Sequence, residues 1–107
     1  MTTSTTPVLD PVPLQRQTMG DPAHRLELLA LFVVEAERLM RQIEEATDKQ
    51  LMVERLQALA GSARNIGALR LMQTARLLES HVGENEPDLE ALRAAVAETV
   101  AYIRRSA

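Results

Sequence analysis

Apolar side chains recur three and four residues apart along four successive segments of this chain, each bounded by proline, glycine or an acidic residue. That spacing gives an α-helix one apolar face, whereas a half-buried strand shows alternation at every second residue. No segment of the 107 residues alternates in that way between hairpin turns. Phe32 and Tyr102 are the only aromatic residues, which suits an aliphatic helical core better than a β-sandwich. The pattern predicts an all-α protein.

Capping residues place the first two helices. Residues 1–9 are polar and threonine-rich and are predicted to form a flexible tail. The Asp-Pro pair at 10–11 has an N-cap and a first-turn proline, which predicts a short helix over 11–19. A second Asp-Pro pair at 21–22 opens a long helix that we expect to end near Thr47.

The remaining turns separate three further helices. Asp48 is the predicted cap of a third helix that ends at Gly67. A fourth helix is predicted over 68–81, with Gly83 as its end and the sequence ENEP as the turn. Pro87 then lies near the start of the fifth helix.

The apolar stripes of the four longer helices predict one shared core. Because their connections are short, we expect an up-down-up-down antiparallel four-helix bundle with the short extra N-terminal helix across one end, as one domain over 10–107. The predicted core residues are Leu26, Leu29, Phe32, Val33, Ala36, Leu39, Met40, Ile43, Met52, Leu56, Leu59, Ala63, Ile66, Leu69, Met72, Ala75, Leu78, Val82, Leu89, Leu92, Val96, Val100 and Ile103.

Composition argues against several classes of function. The chain has no cysteine and only two histidines, His24 and His81, and it lacks the Glu-x-x-His pairs of di-iron bundles and the glycine-rich phosphate loop. The net charge is −3, with no basic block outside Arg104-Arg105, and no apolar run reaches membrane-spanning length. We therefore expect a cytoplasmic monomer that is not an enzyme, without metal or cofactor, and without nucleic-acid or membrane binding.

Gly61 is the residue that core packing does not explain. A glycine inside a helix costs about 1 kcal/mol relative to alanine, so its presence needs a reason. Helical spacing places Val53, Gln57, Gly61 and Arg64 along one line, with Ala60 beside it. Such a shallow surface suits docking by another protein. A helix kink or a tight contact with the N-terminal segment explains the glycine equally well.

The sequence RLQALAGSARNIGALRLMQTARLLE, residues 55–79, resembles the signature of histidine phosphotransfer (HPt) domains. The matching residues are the glycine and small residue at 61–62, the turn at 65–68 and the Leu-Glu pair at 78–79. The resemblance extends over nearly the whole chain, from about Val8 to Arg105, and includes the order of the helices. It implies a helical bundle that exchanges phosphate with receiver domains in multistep phosphorelays.

The resemblance fails at the two reactive positions. Gln57 stands where the family has its phosphorylated histidine, and Ala60 stands where it has a lysine. The lone pair of an amide nitrogen is delocalised into its carbonyl, so glutamine is not a useful nucleophile. We therefore expect a pseudo-phosphotransfer protein that binds receiver domains of response regulators or hybrid kinases without carrying phosphate. The predicted contact residues are Val53, Gln57, Ala60, Gly61 and Arg64.

Two alternative functions remain. The chain acts as a phosphorelay intermediate if a histidine outside the motif accepts phosphate. His24, in the first turn of the second helix, and His81, at the end of the fourth, are the candidates, although neither is followed by lysine and glycine at the family spacing. The other alternative is a helical bundle that serves dimerisation or another interaction unrelated to phosphotransfer.

Overall fold

A computed structural model describes residues 6–84 and 88–106, and this part of the chain confirms the all-α prediction. Pro87 and the rest of the predicted turn at 85–87 lie outside the described residues, as do residues 1–5 of the predicted tail. The five helices are α1 (Pro11–Thr18), α2 (Pro22–Glu45), α3 (Lys49–Ile66), α4 (Leu69–His81) and α5 (Glu90–Ser106).

Side-chain caps begin the first three helices as predicted. A carboxylate oxygen accepts the backbone N–H two residues ahead, which satisfies one of the unpaired donors of the first turn. The donor–acceptor distances are 3.0 Å for Val12 to Asp10, 3.0 Å for Ala23 to Asp21 and 3.1 Å for Gln50 to Asp48.

Two helices end slightly earlier than predicted. α1 ends at Thr18, because Met19 adopts a left-handed conformation with φ of +53°. α2 ends at Glu45, because Ala46 is extended, with φ −68° and ψ 127°. The predicted ends at Met19 and Thr47 therefore belong to the connections.

The helices bury one continuous aliphatic core. α3 packs against α2 and α4, α5 packs against α4 and α2, and α1 contacts α2 and α3. The buried apolar residues are Leu9, Leu14, Leu29, Phe32, Ala36, Leu39, Met40, Ile43, Met52, Leu56, Leu59, Ala60, Ala63, Ile66, Ala68, Leu71, Ala75, Leu92, Ala95, Val96, Val100 and Ile103.

Most of the predicted core residues are buried, and two differences concern helix faces. Leu26, predicted to be in the core, is 45% exposed at the edge of the α2 stripe. On α4, Leu71 is fully buried while Leu69 is half-buried. Leu71 and Ala75 are one turn apart and together face the interior, so the true stripe of α4 is rotated from the predicted one.

Residues 6–9, predicted as part of the tail, lie against the helices. Leu9 is buried in the core, and the Arg70 guanidinium donates a 2.8 Å hydrogen bond to the carbonyl of Thr6. Arg70 also pairs with Glu98 of α5 at 3.0 Å.

Ion pairs link α2 to α5. The Nε atom of Arg93 lies 2.6 Å from a carboxylate oxygen of Glu44, and Arg104 lies 4.0 Å from Glu37. The hydrogen bond that Glu44 accepts raises the pKa of Arg93 above its ordinary value. Because these pairs are exposed to solvent, they contribute little to stability and mainly align the two helices.

The two buried polar side chains of the described residues are both threonines. Thr18 donates to the carbonyl of Leu14 at 2.7 Å, and Thr99 donates to that of Ala95 at 2.7 Å. Each hydroxyl is thus satisfied by the preceding turn of its own helix. No helix within the described ranges is long and apolar enough to cross a membrane.

Gly67 joins α3, α4 and the N-terminal segment. It has φ of +86°, and its carbonyl accepts a 2.8 Å hydrogen bond from the N–H of Asp10. A Cβ atom at this position would overlap the carbonyl oxygen of Asp10, which the backbone cannot accommodate without moving. The tight contact with the N-terminal segment that we considered for Gly61 is therefore made by Gly67.

We expect Gly67→Ala to lower the free energy of unfolding by at least about 2 kcal/mol, because it combines left-handed strain with a backbone clash. Gly61→Ala is the matched control, since a Cβ atom there meets nothing within 4 Å. It should be neutral or stabilise by up to about 1 kcal/mol. Urea unfolding monitored by circular dichroism measures both, and equal effects of the two substitutions would contradict the assignment.

Candidate functional site

The candidate site lies on α3, which runs unbroken from Lys49 to Ile66. Gln57 and Arg64 are exposed, Gly61 is half-buried between them, and Val53 is half-buried one turn before Gln57. The structure therefore brings four of the five predicted contact residues to one helix surface. We refer to Val53, Gln57, Gly61 and Arg64, together with Glu79 of α4, as the Gln57 surface.

Gln57 is held by a hydrogen bond to the neighbouring helix. Its side-chain amide nitrogen donates to a carboxylate oxygen of Glu79 at 2.8 Å. A bond to a charged acceptor is stronger than one between neutral groups. The amide at position 57 is therefore oriented by α4 rather than free to rotate.

Gly61 has open space where its side chain would be. An added Cβ atom has no neighbour within 4 Å, and the helix is continuous through this residue. Within the described residues, neither a break in α3 nor contact with the N-terminal segment accounts for the glycine. The prediction that Gly61 keeps a docking surface flat stays a prediction.

Ala60 does not line this surface. Its side chain is 0% exposed, one turn from the buried Leu56 and Ala63, so the predicted contact of Ala60 with a partner stays a prediction without an exposed side chain to make it. Ala75 on α4 is buried to the same degree. Both alanines belong to the buried core, in which α3 packs against α2 and α4.

The two histidines lie outside the Gln57 surface. His24 is exposed in the first turn of α2. His81, the last residue of α4, lies with Nδ1 3.2 Å from a carboxylate oxygen of Glu84, and its side chain is 57% exposed. Among the described residues, neither imidazole has the second partner that a general acid–base or nucleophilic site requires.

The described residues contain no group of three or more histidine or acidic side chains placed to hold a metal ion. The carboxylates nearest to the site are spread along the helix surfaces, and Glu79 is already bonded to Gln57. The chemistry available here is therefore hydrogen bonding and shape, with the charge of Arg64.

Glu79 was not predicted as a site residue. The signal was present, since Gly67 reverses the chain about midway between Gln57 and Glu79. Helices joined by so short a turn lie side by side, which brings residues at similar distances from the turn together. Arg76, one turn before Glu79, is also exposed on α4.

Comparison with solved structures finds the same fold in a bacterial phosphotransfer protein. The crystal structure of histidine-containing phosphotransfer protein B (HptB) from Pseudomonas aeruginosa PAO1 superposes with a TM-score of 0.78 at 21% sequence identity. The match covers 95% of this chain and 96% of that one. No curated protein matches the sequence significantly.

The sequence itself matches the profile of the Hpt domain over residues 27–106. That range begins in α2 and runs to the end of α5, so it includes the whole Gln57 surface. Most of the chain is covered, which supports the resemblance seen in the motif at 55–79. The chain belongs to the Hpt domain family of phosphorelay signalling modules.

Proposed function

We propose that this protein is a pseudo-phosphotransfer module that binds receiver domains of response regulators or hybrid kinases without carrying phosphate. One observation carries the proposal. The position that matches the family's phosphorylated histidine is an exposed Gln57, bonded to Glu79, on a surface left open by Gly61.

The chemistry of Gln57 supports the absence of phosphate transfer. Its amide nitrogen has no available lone pair, and the same nitrogen is occupied as the donor to Glu79 at 2.8 Å. The two imidazoles of the chain belong to His24 and His81, which lie outside the Gln57 surface. No described side chain at the Gln57 surface offers a nucleophile in their place.

The packing of Ala60 supports the same conclusion. The family's lysine supplies a cation beside the phosphorylated residue, but here the position is a fully buried methyl group. A lysine would have to displace covering side chains before its ammonium group reached water. The position belongs to the hydrophobic core.

The shape and charge of the Gln57 surface support retention of docking. Gly61 leaves open space at its centre. Arg64 and Arg76 are exposed on the two helices, and neither forms an ion pair within the described ranges. Receiver domains carry an acidic pocket, so unpaired arginines favour encounter with it.

We also infer that the four longer helices run alternately up and down. The ion pairs Glu44–Arg93 and Glu37–Arg104 support this inference. Glu37 precedes Glu44 in α2, whereas its partner Arg104 follows Arg93 in α5, and this reversed order is that of antiparallel neighbours. The short connections from α2 to α3 and from α3 to α4 agree with that arrangement.

Gly61→Arg should abolish receiver binding, because the new side chain fills the open centre of the Gln57 surface. We expect at least about a hundredfold rise in Kd by calorimetric titration against a panel of receivers from the same genome. Ala94→Arg, at an exposed position on α5, is the matched control and should bind as the parent does. Absence of binding by the parent to every receiver, with or without phosphate, would refute the proposal.

Gln57→His should restore phosphate acceptance. The new imidazole would lie beside Glu79, which is able to orient one ring nitrogen while the other faces solvent. Incubation with a phosphorylated receiver that binds the parent, followed by intact-mass spectrometry, should show acid-labile phosphate on the variant alone. Phosphate on His24 or His81 of the parent would instead support the alternative of an active relay protein.

Adding Ala60→Lys should destabilise the fold by about 1–3 kcal/mol, because the position is fully buried. The single variant Gln57→His is therefore the cleaner test of phosphate acceptance. Thermal unfolding separates the two effects. An unchanged Tm in Ala60→Lys would contradict this expectation and show that the core around position 60 accommodates a lysine.

A further inference from the structure

The outer face of α2 exposes apolar side chains that the fold does not use. Leu31 is 61% exposed and Val34 is 66% exposed. Leu26 and Ala30 are also exposed in the N-terminal half of α2, further around the helix toward Ile103 and Arg104 of α5. Single exposed leucines are ordinary, but a group within two and a half turns of one helix marks an interaction surface.

Leu31 and Val34 belong to a regular seam. Together with Glu27 and Arg38 they follow spacings of four, three and four residues, which is the alternation of a heptad repeat. Residues at that spacing form a narrow line along a helix, suited to packing against a second helix. The seam has an apolar centre and one charged residue at each end.

The charges at the ends of the seam are opposite in sign. Glu27 lies toward the start of α2 and has no ion-pair partner within the described ranges. Arg38 lies toward the end of α2, and Glu35 holds its guanidinium through contacts of 2.8 and 2.9 Å. The Nη1 group of Arg38 has no hydrogen-bond partner among the described residues.

We infer that a second copy of this chain packs against the seam, with the two α2 helices antiparallel. In that orientation Leu31 faces Val34 of the other copy, and Glu27 faces Arg38 of the other copy, twice by symmetry. A parallel pair would instead place Glu27 against Glu27 and Arg38 against Arg38. The charges therefore select the antiparallel homodimer.

The dimer is weak. One helix pair of about three turns, from Glu27 to Arg38, buries less than the roughly 1,200–2,000 Å² of a stable complex, so we expect a Kd of about 10–500 µM. This departs from the monomer expected from composition. The seam shares no residue with the Gln57 surface, so the inference does not rest on receiver binding, and each copy in the dimer keeps its own Gln57 surface.

Charge reversal tests the pairing. By sedimentation equilibrium in low salt, at concentrations up to about 1 mM, Glu27→Arg and Arg38→Glu should each raise the dimer Kd at least about fivefold. The double variant should return to within about twofold of the parent, since exchanging both charges places opposite signs against each other again. A monomeric parent at the highest concentration, or a double variant no better than the single ones, would overturn the inference.

A substitution in the apolar centre and a matched control on another helix test the apolar contact. Leu31→Glu should raise the dimer Kd more than about tenfold, whereas Leu77→Glu, on α4 and 63% exposed, should leave it unchanged. Circular dichroism establishes that both variants remain helical. Equal loss of dimer in the two would show that general surface hydrophobicity, and not this seam, drives association.

Disulfide trapping reports the orientation of the two helices. The natural chain has no cysteine, so every crosslink comes from the introduced residues, and these lie at the ends of the seam. Glu27→Cys mixed with Arg38→Cys should crosslink under mild oxidation. Neither should crosslink with itself, since the identical positions lie about 16 Å apart along an antiparallel pair. Self-crosslinking of Glu27→Cys would establish a parallel pair and overturn the antiparallel assignment.

Discussion

The backbone contact between Gly67 and Asp10 is the constraint on which the functional surface depends. It holds three parts of the chain at one point, since Gly67 ends α3, begins the turn to α4 and receives the N–H of the residue that caps α1. Its left-handed φ reverses the chain within two residues. The side-by-side placement of Gln57 and Glu79 follows from that reversal.

The site combines features of a binding surface with the absence of reactive groups. An amide bonded to a carboxylate is stable, neutral and oriented, and these properties suit recognition rather than group transfer. The open space over Gly61 has no role inside the monomer. Membership of the Hpt family is compatible with both features, and the proposed receiver docking would account for the open space at Gly61.

The sequence was sufficient to predict the helices, most of the core and the line from Val53 to Arg64, because these depend on local spacing. Asp10, Asp21 and Asp48 were identifiable as caps for the same reason. The burial of Ala60 and the bond from Gln57 to Glu79 depend on how α3 and α4 rotate against one another. The spacing of apolar residues did not determine that rotation. On α4 it predicted Leu69 in the core, whereas Leu71 is the fully buried residue. The role of Gly67 also needed coordinates, since a glycine at a helix end gives no sign of what approaches it.

Thr18 and Thr99 bond only to their own helices, so the fully buried side chains of the described residues make no directional contact between helices. What joins the helices inside is the filling of volume, which many combinations of leucine, valine, isoleucine and alanine satisfy equally well. Such an interior accepts extensive sequence drift without loss of shape. This explains how two chains with 21% identity share a fold at a TM-score of 0.78. It also means that most of the surface, apart from caps such as Asp21 and Asp48 and ties such as Arg70, is not fixed by the packing of the interior.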